Sequence, residues 1–413
     1  MQDSNRPLEG NAMRSETDFD VVVVGGGPAG ATAATELARG GFSVMLLDKD
    51  GRIKPCGGAV PPRLIRDFDI PDSQIVARIN SARIVSPSGR EVDMPVGKGF
   101  VGMVDREHFD EWLRNRATEF GATRKSGIFN SLERNSDSTV TVSYREKVDG
   151  KLGEDKKVTT RALVGADGAR SVVAEKCMPN AERVPCVFAY HEIVRSPKEG
   201  TVKRFEDETC DVFYNGKMSP DFYAWVFPHG ETTSIGTGSA NKGFGLRDAV
   251  KVVRDAAGLQ DAETIRTEGA PIPLKPLKRW DDGFNVILAG DAAGIVAPAS
   301  GEGIYYAMVG GQLSAQAAAE FVRTGDVKCL RTARKRFMRD HGKVFWILGM
   351  MQKFWYTTDE RRERFTSICD DPDVQRLTWE AYTEKRLVRA SPMAHIRIFF
   401  KDLAHLFKLV SPS

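Results

Sequence analysis

The residue pattern with the clearest chemical meaning is a glycine-rich stretch, GGGPAG, at positions 25–30. An apolar, β-branched run over 21–24 precedes it, as in a fully buried parallel strand. Strong helix formers follow it, and a second strand then ends at Asp48. A strand, a glycine-rich turn, a helix and an acidic residue in this order are the fingerprint of a dinucleotide-binding βαβ unit. We therefore predict that this stretch binds the diphosphate of a dinucleotide.

Each glycine of the fingerprint has a separate physical task. Gly25 permits the tight turn, Gly27 lets the backbone approach a pyrophosphate, and Gly30 lets the helix pack closely on the strand. The helix N-terminus then faces the diphosphate with free N–H groups and partial positive charge. Asp48 can accept a hydrogen bond from the adenosine ribose, and it disfavours bound NADP because its carboxylate would repel a 2′-phosphate. The neighbouring residues that complete this part of the predicted cofactor site are Pro28, Ala29 and Lys49.

Two later stretches extend the cofactor site and favour FAD over NAD(P). One predicted strand ends at positions 166–168, and another buried strand ends at positions 290–291. Asp291 can hydrogen-bond the ribitol hydroxyls of FAD, and the helix that begins near Ile304 can stabilise negative charge on a reduced flavin. The residues that these stretches and the loop before the helix add to the predicted cofactor site are Ala166, Asp167, Gly168, Gly290, Asp291, Pro298, Gly301 and Gly303.

A loop rich in proline and glycine, PCGGAVPP, occupies positions 55–62. It follows the second strand of the fingerprint, so we expect it near the cofactor. Its adjacent glycines let a backbone approach a flat ligand, and Cys56 lies at its centre. We predict a catalytic role for Cys56, Gly57 and Gly58. The alternative is that Cys56 is a small, buried hydrophobic side chain.

Arg106 lies in the first turn of a predicted helix for which Asp105 is the natural N-cap. A cation is unfavourable in that turn because of the helix dipole. We therefore predict that Arg106 binds an anion such as the FAD diphosphate. The alternative is an ordinary surface arginine.

Three aromatic side chains, Tyr223, Trp225 and Phe227, share one face of a predicted strand because strand side chains alternate. They can line an apolar cavity or belong to a core, and their spacing leaves both interpretations open. The short strands around them, with a predicted strand over 202–205 among them, indicate an antiparallel sheet.

These elements predict an α/β fold with an FAD-binding Rossmann-like domain, an antiparallel-sheet substrate domain and a helical C-terminal region. The length of 413 residues allows two or three domains. We assign 18–80, 103–178 and 278–326 to the FAD-binding domain, 81–102 and 179–277 to the substrate domain, 327–413 to the helical region, and 1–17 to a disordered tail.

The composition argues against several classes of protein. With 41% hydrophobic and 28% charged residues, the chain is globular in type, and its net charge of +3 does not indicate a nucleic-acid partner. The six cysteines have no zinc-type spacing, so we expect free thiols in a reducing cytoplasm and no metal site. No apolar run reaches the roughly 18 residues that a transmembrane helix needs.

The C-terminal end, over 391–410, carries an apolar stripe opposite basic residues, as in helices that lie on membranes. Ser391 and Pro392 suit the N-cap and first position of such a helix. We predict peripheral membrane association through this segment. The alternative is that the helix packs on the protein's own core.

The three cofactor stretches together resemble the FAD domain of the p-hydroxybenzoate-hydroxylase-like flavoproteins. Within that group the chain resembles the geranylgeranyl reductases, from residue 18 to about its end. Positions 55–58 match their P-C-G-G loop, 223–228 their Y-x-W-x-F-P motif, and 105–109 their D-R-x-x-F segment. The resemblance is closest to the chlorophyll and bacteriochlorophyll branch.

This resemblance implies an enzyme that reduces isoprenoid double bonds and turns a geranylgeranyl chain, on (bacterio)chlorophyll or on the diphosphate, into phytyl. It implies tightly but non-covalently bound FAD, with NADPH as a transient hydride donor, since the sequence has one dinucleotide motif. The substrate cavity would be lined by Tyr223, Trp225, Phe227 and Pro228. We expect the protein in the cytoplasm, peripheral on a photosynthetic membrane. Two other classes stay open: a flavin-dependent aromatic monooxygenase, and a non-catalytic membrane-bound flavoprotein of pigment assembly.

Overall fold

The computed structural model describes residues 16–49, 53–181, 184–198 and 200–385. Its central strands, labelled in chain order, are β1 (Phe19–Val24), β2 (Val44–Asp48), β8 (Thr123–Arg134), β10 (Lys151–Gly165) and β16 (Val286–Leu288). They pair in parallel in the order β8-β2-β1-β10-β16, which is the order of a doubly wound dinucleotide-binding sheet. Outside this parallel part, β9 (Val140–Val148) pairs antiparallel with the ends of β8 and β10. The carboxyl ends of the parallel strands therefore meet at one edge.

Helices pack on this sheet and on each other. They include α1 (Pro28–Arg39), α2 (Pro62–Asp67), α3 (Arg106–Glu119), α4 (Val172–Cys177) and α6 (Ile304–Thr324). Helix α1 begins with Pro28, whose missing N–H and fixed φ suit the first helical position. Helices α1 and α6 touch through their backbones, because a Cβ on Gly311 would lie 2.2 Å from the carbonyl oxygen of Ala29.

A second sheet has seven strands and is antiparallel except for one pair. Its strands are β5 (Ser81–Val85), β6 (Glu91–Pro95), β11 (Cys186–Arg195), β12 (Thr209–Phe213), β13 (Ala224–His229), β14 (Thr232–Ser239) and β15 (Thr264–Pro273). They lie in the order β15-β11-β14-β13-β12-β5-β6, with β12 and β5 parallel. Helix α5 (Leu246–Ala257) packs on it through Val250 and Val253. A small antiparallel sheet is formed by β3 (Ala59–Val60), β4 (Ala77–Ile79) and β7 (Val101–Met103).

The predicted strand over 202–205 is wrong, because the structure has turns there. The N–H of Phe205 donates to the carbonyl of Val202 at 3.1 Å. Both side chains pack on the core of the antiparallel sheet. A spacing of three, rather than two, brings these apolar residues to one side, so the segment turns instead of extending.

The C-terminal part that the structure describes is helical, as predicted. It consists of α7 (Arg331–Trp355), α8 (Asp359–Cys369) and α9 (Pro372–Glu384). None of the helices in the described ranges combines the length and hydrophobicity required to cross a membrane. The predicted amphipathic helix over 391–410 lies outside the described residues, as does most of the predicted tail over 1–17.

Candidate active site

A cavity of about 580 Å³ opens where the parallel strands end. This volume falls within the range of roughly 300–1,000 Å³ that is usual for small-molecule and cofactor sites. The turns after β1, β2 and β10 line it, and so does the turn after β16 through Asp291. We call it the dinucleotide cavity. The predicted cofactor residues that line it are Gly25, Gly27, Pro28, Ala29, Asp48, Lys49, Ala166, Asp167, Gly168 and Asp291.

The three fingerprint glycines differ in the physical reason that requires a glycine at each position. Gly25 has φ +104°, and a Cβ there would lie 2.3 Å from the carbonyl oxygen of Ala166. A Cβ on Gly30 would lie 1.8 Å from the carbonyl oxygen of Gly25. At Gly27, φ is −75° and a Cβ would meet no atom within 4 Å. Protein packing therefore explains Gly25 and Gly30, whereas Gly27 leaves open space beside the cavity, as the diphosphate of a dinucleotide requires.

Asp48 is held by hydrogen bonds on both carboxylate oxygens. The N–H of Gly26 donates to one oxygen at 3.0 Å, and the guanidinium of Arg114 donates to the other at 3.3 Å. Arg114 also donates to the carbonyl of Gly26 at 3.3 Å. Asp48 is thus fixed beside the cavity, and its predicted contact with a ribose hydroxyl stays a prediction. Sequence reasoning missed Arg114, because it lies within α3 and no motif marks it.

Asp167 uses its carboxylate within its own loop. It accepts hydrogen bonds from the N–H groups of Val172 and Val173, at 2.7 and 3.2 Å, and from the hydroxyl of Ser171. Burial nevertheless raises the pKa of Asp167 above its usual value. Gly168 also lines the cavity, and at φ +91° it has open space where a Cβ would be. The predicted contact of Asp167 with the cofactor stays a prediction.

A second, smaller cavity of about 100 Å³ adjoins the first. We call it the aromatic cavity because Phe222, Tyr223, Trp225 and Phe227 line it. The predicted catalytic and cofactor residues that also line it are Cys56, Gly57, Arg106, Gly301 and Gly303. The residues that line both cavities are Pro28, Lys54, Ala189, Ala270, Pro271, Asp291 and Ala307. The loop over 55–62, which we call the cysteine loop, and the aromatic motif over 223–228 therefore meet in a cavity that shares a wall with the dinucleotide cavity.

Arg106 lies in the aromatic cavity and does not line the dinucleotide cavity, so the structure does not bring it to the glycine-rich turn. Its guanidinium donates two hydrogen bonds to Asp110, at 2.7 and 2.6 Å. Burial lowers the pKa of Arg106, but contacts with Asp110 and Cys56 outweigh it, so the net shift is upward. The cation in the first helical turn is thus compensated by Asp110, one turn later.

Some predicted site residues line neither cavity. They are Gly30, Gly58, Pro228, Gly290 and Pro298. Gly58 has φ +73°, and a Cβ there would lie 2.4 Å from His229 Nε2. Gly290 has φ +61°, and its Cβ would lie 2.6 Å from Ala29 Cβ. These glycines let neighbouring elements pack behind the site.

An ion pair that the motifs did not predict bridges the two cavities. Lys54, which directly precedes the cysteine loop, binds the carboxylate of Asp291, and both residues line both cavities. The pair ties the loop to the end of β16. A ribitol hydroxyl that donates to Asp291, as predicted, would share the carboxylate with Lys54.

Comparison with known proteins agrees with this geometry. The model of the family described as pyridine nucleotide-disulphide oxidoreductase matches residues 19–199. The geranylgeranyl diphosphate reductase of Rhodobacter capsulatus is 55% identical over 95% of this chain and 99% of its own length. The chain belongs to the geranylgeranyl reductase family. The chloroplastic reductase of Arabidopsis thaliana is 34% identical, over 95% of this chain and 86% of its own.

A solved structure shares the fold of this chain. A geranylgeranyl bacteriochlorophyll reductase-like protein from Thermoplasma acidophilum aligns with a TM-score of 0.73 at 21% identity, covering 95% of this chain and 98% of the other. The predicted fold class, the predicted family, the oxidoreductase class and the flavin cofactor are thereby confirmed.

Replacement of Gly27 by valine tests the cofactor site. Because a Cβ at Gly27 meets no protein atom and the φ suits any residue, Gly27→Val should fold and melt like the wild type. The side chain would fill the space of the diphosphate, so the purified variant should lack flavin absorbance. The matched control is Gly153→Val, where a Cβ lies 3.5 Å or more from other atoms and outside both cavities. A folded Gly27→Val protein with full flavin content would contradict the placement.

Proposed function

We propose that the protein reduces the double bonds of a geranylgeranyl chain, on the diphosphate or on (bacterio)chlorophyll, to give a phytyl chain, with NADPH as the source of hydride. The observation that carries this proposal is the shared wall between the dinucleotide cavity and the aromatic cavity. The relative from Rhodobacter capsulatus, named a geranylgeranyl diphosphate reductase, supports the substrate class.

The residues divide the binding of FAD between them. Asp48, held by Arg114, would bind the adenosine end, and the turn over 25–29 would bind the diphosphate. Asp291 and the loop over 301–303 would hold the flavin end, where the two cavities meet. When bound in its reduced form, FAD would supply the hydride for one carbon of the double bond. NADPH would dock only transiently, since the sequence offers one dinucleotide fingerprint.

An isolated double bond is unpolarised, so its other carbon needs a proton when hydride arrives. The thiol of Cys56 lies in the aromatic cavity and is our candidate donor, through Sγ. The cation of Arg106 contacts Cys56 and would stabilise the thiolate that remains until solvent returns the proton. The aromatic walls exclude water and align the chain. These are the main ways in which a site can promote the reaction of so apolar a substrate.

Product analysis tests this function directly. Purified protein would be incubated anaerobically with NADPH and either geranylgeranyl diphosphate or geranylgeranyl-bacteriochlorophyll. Mass spectrometry should show the gain of two hydrogens for each double bond reduced. Cys56→Ala should keep its flavin and lose turnover by about 10²–10⁴-fold, as expected for loss of a proton donor.

Other products would overturn the proposal. A hydroxylated product that requires oxygen would indicate a monooxygenase. The absence of product from both substrates, with flavin bound, would indicate a non-catalytic flavoprotein.

We further propose that the protein works on the cytoplasmic surface of a photosynthetic membrane. The amphipathic pattern over 391–410 supports this, and α7 adds a second surface. On one face of α7, Trp346 is 65% exposed and Met350 is 52% exposed, and Lys343 and Lys353 flank them at helical spacing. Exposed apolar side chains bordered by lysines suit an anionic lipid surface.

Vesicle sedimentation tests the membrane surface. Full-length protein should bind anionic vesicles at low salt and release them at high salt, because each basic residue contributes only about 1 kcal/mol that salt screens. Trp346→Glu with Met350→Glu should weaken binding. The matched control is Val148→Glu with Leu152→Glu, two apolar residues of similar exposure in the β9–β10 hairpin. The proposal would be refuted if folded full-length protein did not bind anionic vesicles at low salt.

A further inference from the structure

A row of side chains crosses four neighbouring strands of the antiparallel sheet, beside the aromatic cavity. Trp225 on β13 stands opposite Gly236 on β14, and Gly236 stands opposite His191 on β11. His191 in turn stands opposite Glu268 on β15. Trp225 and His191 both line the aromatic cavity, whereas neither the proposed chemistry nor any motif involves His191 or Glu268.

Gly236 makes room for the indole within this row. A Cβ there would lie 2.2 Å from Cζ2 of Trp225 and 2.6 Å from Cβ of His191. Gly236 is not among the glycines with positive φ, so the backbone conformation does not require glycine. The absence of a side chain therefore lets the indole of Trp225 lie across the sheet, toward His191.

Hydrogen bonds then hold the indole in place. The indole N–H of Trp225 donates to the hydroxyl oxygen of Ser234 at 3.1 Å. Ser234 Oγ lies 2.9 Å from Nδ1 of His191, and Nε2 of His191 lies 2.9 Å from a carboxylate oxygen of Glu268. An indole can only donate, so Ser234 is free to donate to Nδ1, and Nε2 then carries the proton that is donated to Glu268. A neutral imidazole satisfies every member of the chain.

The outer end of the row is anchored by charge. Arg266 donates to the second oxygen of Glu268 at 2.8 Å, and it lies 3.7 Å from Asp105. Burial raises the pKa of Glu268, but hydrogen bonds and charge from His191 and Arg266 outweigh it, so the net shift is downward. Glu268 therefore remains a carboxylate that accepts from His191. Asp105 caps α3, the helix of Arg106, so the anchor connects the sheet to the other side of the site.

We propose that Gly236, Ser234, His191 and Glu268 are positioning residues that fix the indole of Trp225 as the wall against which the isoprenoid chain lies. This inference rests on the proposed function. A hydrocarbon chain offers the protein no group for a hydrogen bond, so only the shape of the walls can orient it. Every side-chain N–H and O–H of the row has a hydrogen-bond partner within the row. The wall therefore has no unpaired polar group that contact with a hydrocarbon would desolvate at a cost.

Substitution of Ser234 tests the row without touching the cavity lining. Ser234→Ala leaves the indole N–H and Nδ1 of His191 without partners, so two buried hydrogen bonds are lost, and at roughly a threefold effect or more for each bond the total is about tenfold or more. We expect the KM for geranylgeranyl diphosphate to rise about tenfold. The rate at which NADPH reduces the flavin, measured without isoprenoid, should be unchanged. Ser234→Thr, which keeps the hydroxyl, should restore the KM.

The matched control is Ser239→Ala, on the same strand. Ser239 is also buried, and its hydroxyl bonds Asp221 instead of the row. The inference is overturned if Ser234→Ala raises the KM no more than Ser239→Ala, if it slows flavin reduction as much as it raises the KM, or if threonine does not rescue it. A wild-type protein that does not turn over geranylgeranyl diphosphate or its pigment ester would instead defeat the proposed function, and this inference with it.

Discussion

The close approach of four backbone segments around the glycine-rich turn is the constraint on which the site depends. The turn after β1 touches the end of β10 at Gly25, and α1 touches the turn at Gly30. Helix α6 and the turn after β16 close on Ala29 through Gly311 and Gly290. A methyl group at any of these four glycines would collide with backbone or with a buried side chain. This packing brings the strand ends together and leaves a cavity beside Gly27, where a Cβ would meet no protein atom within 4 Å.

A further consequence of this packing is the wall that the dinucleotide cavity and the aromatic cavity share. The turn after β16 carries Asp291, which pairs with Lys54 and so places the cysteine loop over the edge of the dinucleotide cavity. The antiparallel sheet supplies the opposite wall through Trp225 and its neighbours. A hydride can pass only between atoms in contact, so a reductase for a hydrocarbon needs cofactor and substrate cavities that open into each other. Near this junction Lys54 is paired with Asp291, Arg106 with Asp110, and the indole N–H of Trp225 with Ser234, which suits a substrate without polar groups along its chain.

Patterns local in sequence predicted the fold and the residues that carry motifs. The fingerprint over 25–48, the loop with Cys56 and the aromatic strand with Trp225 each depend on neighbours a few positions away. Residues that join distant segments were missed. Arg114 contacts Gly26, which is 88 positions away in the sequence, and His191 contacts Glu268, which is 77 positions away. No local spacing pattern predicts either contact. For the same reason the sequence suggested a diphosphate contact for Arg106, whereas Asp110 and Cys56 surround it in the fold.

The measurement that tests the central claim most directly is the oxidation of reduced flavin by the isoprenoid alone. The protein would be reduced with NADPH in the absence of oxygen, separated from excess nucleotide, and mixed rapidly with geranylgeranyl diphosphate or its pigment ester. If the two cavities deliver hydride from flavin to the chain, the absorbance of oxidised flavin should return at least as fast as steady-state turnover. If the flavin stays reduced with both substrates until oxygen is admitted, the shared wall does not serve isoprenoid reduction and this account is wrong.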